Sequence, residues 1–186
     1  MRVSPFLDRK LTRRFATFDL DDNGFVEWTD FERGVHQLGA AFGHDSGSPP
    51  LKRLHDLSRQ LWDHLAKVAD ADNDGRISET EYKAAFAAGL LETPGSFEAG
   101  YVPFLDAIME IADTDGDGVL NRDEYVKWSG AMLGLDAEVA AGVFARLDTD
   151  GDGRVTRQQV LEAIRVYYFD ENPESAGSWL LGPLQG

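Results

Sequence analysis

The chain has 186 residues, enough for one or two domains with a properly buried core. Hydrophobic residues make up 42%, with 11 Phe, 5 Tyr and 4 Trp, which excludes disorder as the default state. Against 18 Lys and Arg stand 33 Asp and Glu, and the resulting charge of −15 repels nucleic acid and anionic lipid while attracting cations. Cysteine is absent, so there is neither a disulfide scaffold nor thiolate chemistry. The opening MRVSPFLDRKLTRR lacks a secretory apolar run, and no stretch reaches the length of a membrane span. Arg2 stands where a myristoylation signal needs Gly, so a cytoplasmic protein is expected.

Taken in order, the chain alternates helical stripes with acidic loops. Ser4-Pro5 opens a first helix carrying Leu7, Leu11, Phe15 and Phe18. It runs into DLDDNGFVEWTD (19–30), followed by a stripe of Phe31, Val35 and Leu38, with Thr29 and Glu32 as the expected capping box. HDSGSPP (44–50) is a loop full of breakers. Leu51, Leu54, Leu57, Leu61, Leu65 and Val68 then lead into DADNDGRISETE (70–81) and a stripe of Tyr82, Phe86 and Leu90. ETPGS follows as a short link that forbids one continuous helix. Beyond it, Phe104, Leu105, Ile108 and Ile111 precede DTDGDGVLNRDE (113–124), with Pro103 expected at the helix's first turn or at a kink. Tyr125, Trp128 and Met132 follow. Asp136 caps a helix with Val139, Val143, Phe144 and Leu147, which enters DTDGDGRVTRQQ (148–159) and the stripe Val160, Ile164 and Tyr167. Ser78 with Glu81, Asn121 with Glu124, and Thr156 with Gln159 place capping boxes at the loop ends.

The four loops are one design repeated, and its spacing fits a hard divalent cation that takes six to eight oxygens. Alternating acids on a tight turn aim oxygens inward, which makes Asp19, Asp21 and Asn23 the candidates in the first loop and Asp70, Asp72 and Asp74 in the second. Asp113, Asp115 and Asp117 serve the third loop, and Asp148, Asp150 and Asp152 the fourth. Gly24, Gly75, Gly118 and Gly153 take the sharp turn. Phe25, Arg76, Val119 and Arg154 contribute backbone carbonyls, so their side chains vary freely. Val26, Ile77, Leu120 and Val155 are apolar because paired loops meet in a short antiparallel contact. The last position supplies a carboxylate from the next helix: Asp30, Glu81, Glu124 and, in the fourth loop, the neutral Gln159. These are the calcium-loop positions of the EF-hand. His36, His44, His55 and His64 form no zinc pattern, since even the two on one helix, His55 and His64, do not fall on adjacent turns of one face.

The expected fold is all-α: four EF-hand units in two pairs packed as one compact globule. The N-terminal pair covers 1–92, the C-terminal pair 97–170, and an apolar tail at 171–186 folds back on the body. The loops, the stretched first pair and the tail YYFDENPESAGSWLLGPL resemble the sarcoplasmic calcium-binding proteins, and especially their bacterial calerythrin-type members. That resemblance implies one compact body that buffers Ca2+ and Mg2+, with some relatives acting in calcium signalling. The second and third loops meet every ligand requirement. Asp30 is a methylene short, which suits Mg2+, and Gln159 lacks a charge, so the fourth loop is expected to bind weakest, empty or held by Mg2+. Three Met in the whole chain argue against a Met-rich sensor groove. A buffer or transporter is therefore the first expectation. A calcium-responsive signalling protein with an unidentified protein partner is the alternative. No Cys nucleophile, P-loop-type phosphate loop or clustered Ser/His/Asp supports an enzyme.

Overall fold

Helix starts in this chain are set by side chains that reach back to stray backbone N–H groups. In the computed structural model, which describes residues 3–91 and 94–184 (side chains of 94–99 and 176 excepted), α1 spans Pro5–Phe18. The Ser4 hydroxyl accepts the Leu7 N–H at 3.1 Å, and Pro5 sits where a missing N–H costs nothing. β1 (Phe25–Val26) and α2 (Trp28–Phe42) follow, then α3 (Pro49–Ala69), β2 (Ile77–Ser78) and α4 (Glu79–Ala87). The second half holds α5 (Pro94–Ala112), β3 (Leu120–Asn121), α6 (Arg122–Leu133), α7 (Ala137–Leu147), β4 (Arg154–Val155) and α8 (Arg157–Phe169). A 3-10 turn at Ala176–Trp179 closes the chain.

Three local expectations need correction. The α2 capping partner is Asp30, whose Oδ2 accepts the Glu27 N–H at 2.8 Å, so Thr29 and Glu32 lie inside the helix. A carboxylate three residues after Glu27 reaches that amide first, and the helix starts there. Pro49 and Pro50 belong to α3, entered from Ser48, because Pro fits the first turn. α5 likewise starts at Pro94 and runs on through Pro103, so most of the expected link is helix. Glu92 and Thr93 lie outside the described residues.

The paired loops meet as expected. β1 and β2 are antiparallel with Val26 opposite Ile77, and β3 and β4 with Leu120 opposite Val155, and all four of these side chains are buried. Among the described residues the architecture is a globule of eight helices in four helix–loop–helix units, with the two pairs joined through their helices. α3 lies on α5 and α2 on α6. Phe18, Phe31 and Trp62 form a chain of ring contacts in the first pair, and Phe86 stacks on Tyr168 across the two halves at 6.0 Å. Among the described residues, no helix is long and apolar enough to cross a membrane.

The tail is seated on α8 and α7. Gly177 allows this close approach, since a Cβ there would lie 2.5 Å from the Val166 Cβ and 2.6 Å from the Ala163 carbonyl oxygen. Leu180 and Leu181 are 6% and 2% exposed. α1 ties the C-terminal segment down. The Arg13 Nε donates to the Leu181 carbonyl at 2.6 Å, and the Lys10 Nζ donates to the Asp170 carbonyl at 2.6 Å. In return the Tyr167 hydroxyl donates to the Lys10 carbonyl at 2.6 Å.

Lys10 is fully buried, with its ammonium 4.8 Å from the Phe6 ring centre and 5.4 Å from that of Tyr167. Burial lowers its pKa to about 8, against the opposing pull of Asp170 and Glu171. Between the folded value and the unfolded 10.5, the unfolded chain holds the extra proton, so this residue's contribution to stability rises with pH across that window. Thermal unfolding of the calcium-loaded protein and of Lys10→Met from pH 8 to 10 should show the wild-type midpoint gaining on the variant. Parallel profiles would contradict the buried, proton-shedding Lys10.

Candidate metal centres

Each loop begins at a helix C-terminus and ends at the next helix N-terminus, so its first and last acids come from elements fixed by the core. The first acid organises the turn. Asp19 accepts the N–H groups of Asn23 and Gly24 at 3.0 and 2.8 Å, and Asp70 those of Asp74 and Gly75 at 3.2 and 3.1 Å. Asp113 accepts from Asp117 and Gly118 at 3.2 and 2.8 Å, and Asp148 from Asp152 and Gly153 at 3.0 and 2.9 Å. The glycine of each turn is left-handed, with φ between 80° and 86° at Gly24, Gly75, Gly118 and Gly153. The fifth residue then holds the seventh. Oδ1 of Asn23, Asp74, Asp117 and Asp152 accepts the N–H of Phe25, Arg76, Val119 and Arg154 at 2.8, 2.9, 3.1 and 2.9 Å.

The last carboxylate clasps both ends of its loop, one oxygen on each. Asp30 accepts the Leu20 N–H at 3.2 Å as well as that of Glu27. Glu81 accepts the N–H groups of Ala71 and Ser78 at 3.0 and 2.9 Å, and Glu124 those of Thr114 and Asn121 at 2.8 and 3.0 Å. Gln159 has one oxygen, and Thr156 takes it, through its N–H at 2.7 Å and its hydroxyl at 2.8 Å. The Thr149 N–H turns instead to the Leu147 carbonyl at 2.9 Å. The fourth loop is clasped at one end only.

Carboxylate oxygens converge in all four loops. Asp19, Asp21 and Asp30 gather in the first, Asp70, Asp72 and Glu81 in the second, and Asp113, Asp115 and Glu124 in the third, with ligand atoms within 4.8 Å of one another. In the fourth the group is Asp148, Asp150 and Asp152, without the final residue. An all-oxygen donor set of this density fits a hard divalent cation. Among the described residues, no such group contains His. Asp30 is buried, and desolvation raises its pKa, aided by the charges of Asp21 and Asp19 and opposed by the Glu27 and Leu20 amides. The Glu81 pKa moves down, because the Ser78 N–H and hydroxyl hold the anion.

Sequence reasoning missed the cations that lean on these carboxylates. Arg33 pairs with Asp21 at 3.2 Å, Arg76 with Asp74 at 3.1 Å, and Arg154 with Asp117 at 2.9 Å across the paired loops. The register of β3 and β4, with Asn121 opposite Arg154, carries the last contact, and loop spacing alone does not encode it.

Comparison with known proteins agrees with this geometry. An EF-hand domain pair model matches residues 8–87, a second pair model 105–128, and a single EF hand model 139–158. Calerythrin of Saccharopolyspora erythraea is 32% identical over 86% of this chain and 90% of its own length. The chain belongs to the calerythrin family of EF-hand proteins. A solved Streptomyces coelicolor calcium-binding protein superposes with a TM-score of 0.78 at 34% identity, covering 87% of this chain and 97% of that one. The sarcoplasmic calcium-binding protein of amphioxus shares the fold, with a TM-score of 0.72 at 18% identity over 98% of this chain and 99% of that one. This EF-hand protein binds calcium.

Restoring a carboxylate at the last position of the fourth loop should let it clasp both ends. Gln159→Glu is expected to raise calcium affinity there roughly ten-fold or more, since ligand charge sets EF-hand affinity. Following the Gly153 amide resonance through a calcium titration reads that loop alone, and an unmoved midpoint would contradict the clasp.

Proposed function

We propose that this protein is a cytoplasmic calcium buffer or transporter whose apolar core is closed, not opened, when calcium binds. Leu180 and Leu181, buried against the helices of the second pair, carry this reading: the chain fills with its own tail the face that a sensor keeps open for a target. Leu, Val, Ile and aromatic side chains fill that core, and among the described residues only Met109 and Met132 lend it the pliability of methionine.

In this reading the ligands of the first loop are Asp19, Asp21, Asn23, the Phe25 carbonyl and Asp30, and those of the second are Asp70, Asp72, Asp74, the Arg76 carbonyl and Glu81. Asp113, Asp115, Asp117, the Val119 carbonyl and Glu124 hold the third ion. Asp148, Asp150, Asp152, the Arg154 carbonyl and Gln159 make a weaker fourth site. The short arm of Asp30 favours the six-coordinate shell of Mg2+ at the first loop, and the fourth loop either takes Mg2+ or stays empty. The domain division follows the loop pairs, now with the second pair beginning at α5. Cytoplasmic placement rests on sarcoplasmic relatives such as the Penaeus beta chain, 24% identical over 90% of this chain.

One observation favours a second reading. The Streptomyces coelicolor neighbour is described in terms of calcium-mediated regulation, which would make metal-dependent folding a signal to a protein partner. Fluorescence of a hydrophobic-surface dye through a calcium titration in millimolar Mg2+ separates the two. A flat or falling signal, turning into a rise only when the chain is cut after Glu171, is the expected result. A calcium-driven rise with the full chain would overturn the buffer and direct attention to a target protein.

A further inference from the structure

Beneath the docked tail the core is not filled. A cavity of about 70 Å³ is walled by Tyr101 and Phe104 of α5, Trp128 of α6, Tyr168 of α8 and Leu181 of the tail. A second of about 70 Å³ shares Tyr101 and Phe104 with it, and a third of about 50 Å³ shares Phe104 and Met132. Phe104 is therefore the wall common to all three, and it is only half-buried. Interiors are ordinarily packed like organic crystals, with few voids larger than a water molecule. Three apolar voids meeting at one ring leave space of the kind that takes a flat apolar guest once that ring turns.

A polar group in the same wall points to the guest's chemistry. Trp128 is 5% exposed, and its indole Nε1–H is buried with no hydrogen-bond partner. Buried indole N–H groups are ordinarily paired. Trp128 is otherwise well placed, with its ring edge-on to Tyr125 at 5.2 Å. An acceptor on a bound molecule would satisfy that donor, while the surrounding aromatic and aliphatic side chains would cover the rest of it. Arg14 also lines the first cavity, its guanidinium 4.0 Å from the Phe18 ring centre, and the rest of that wall is aromatic and aliphatic.

We propose that the two cavities sharing Tyr101 and Phe104 form one binding site for an aromatic molecule of one or two rings with a single hydrogen-bond acceptor, taken by the Trp128 indole N–H. The site is separate from the calcium loops and stands whether the protein buffers or signals.

Quinoline and naphthalene, alike in shape but differing in the acceptor nitrogen, test this on the full calcium-loaded protein. In indole 15N spectra, quinoline should move the Trp128 N–H resonance downfield and saturate, with an affinity about five- to ten-fold above that of naphthalene, the margin of one net hydrogen bond. Trp128→Phe should erase that preference and leave naphthalene binding in place. Phe104→Trp, filling the shared space, should abolish binding of both, with its amide spectrum and calcium titration reporting that it is folded. The proposal is overturned if quinoline leaves the wild-type Trp128 resonance unmoved to the limit of solubility, if the two probes bind equally, or if folded Phe104→Trp still binds them.

Discussion

Everything in this molecule that concerns metal depends on one constraint: a single side chain must close each acidic loop from both ends. Three carboxylates drawn within 4.8 Å of one another repel strongly, and only a cation or donated N–H groups offset that repulsion. The loops use both devices. Backbone amides are turned inward onto the first acid, and the last acid spans from the second residue of the loop to the start of the next helix. Because that last acid is also the third residue of the helix, the cap that starts the helix is one of the two oxygens of the clasp that closes the loop. Metal binding and helix capping thereby draw on the same side chain, and any ion bound only by the folded state adds to stability.

The second level of organisation joins the loops. Each two-residue β contact brings one loop's apolar residue against that of its partner, so neither loop can move without shifting the core beneath Val26, Ile77, Leu120 and Val155. Arg154 strengthens this link in the second pair, because it belongs to the fourth loop yet neutralises Asp117 of the third. The fourth loop thus supplies the cation that leans on an acid of the third. Above this, α1 of the first pair grips the end of α8 and the tail through Lys10 and Arg13, and Tyr167 returns the contact. The buried ammonium of Lys10 is a costly group to enclose, and its place between Phe6, Tyr167 and the Asp170 carbonyl explains how it is tolerated.

What the sequence disclosed follows the reach of its physics. The loops were legible because ligand spacing, the left-handed glycine and the apolar eighth position are each enforced by covalent geometry within twelve residues. The stripes were legible for the same reason, since helical periodicity is local. The α2 cap was misread because Glu27 and Thr29 are both plausible starts, and the choice fell to the reach of Asp30. The beginning of α5 was misread because Pro94 and Pro103 both suit a first turn, and contact with α3 extends the helix across the second proline. The arginine partners of Asp21 and Asp117 depend on tertiary register, which no window of sequence contains. Nor does composition disclose voids such as those around Phe104, which arise from how already-apolar helices meet.

The fourth loop sets the clearest contrast, because it keeps three converging aspartates and lacks only the second oxygen of its clasp. If the clasp governs strength, charge density alone does not make a tight site. Calorimetric titration of the wild-type protein with calcium in millimolar Mg2+ asks this directly. Three stronger binding events and one at least about ten-fold weaker are the result this account predicts. Four sites of equal affinity would contradict it, and would mean that the aspartates and backbone of the turn bind calcium without help from the helix that follows.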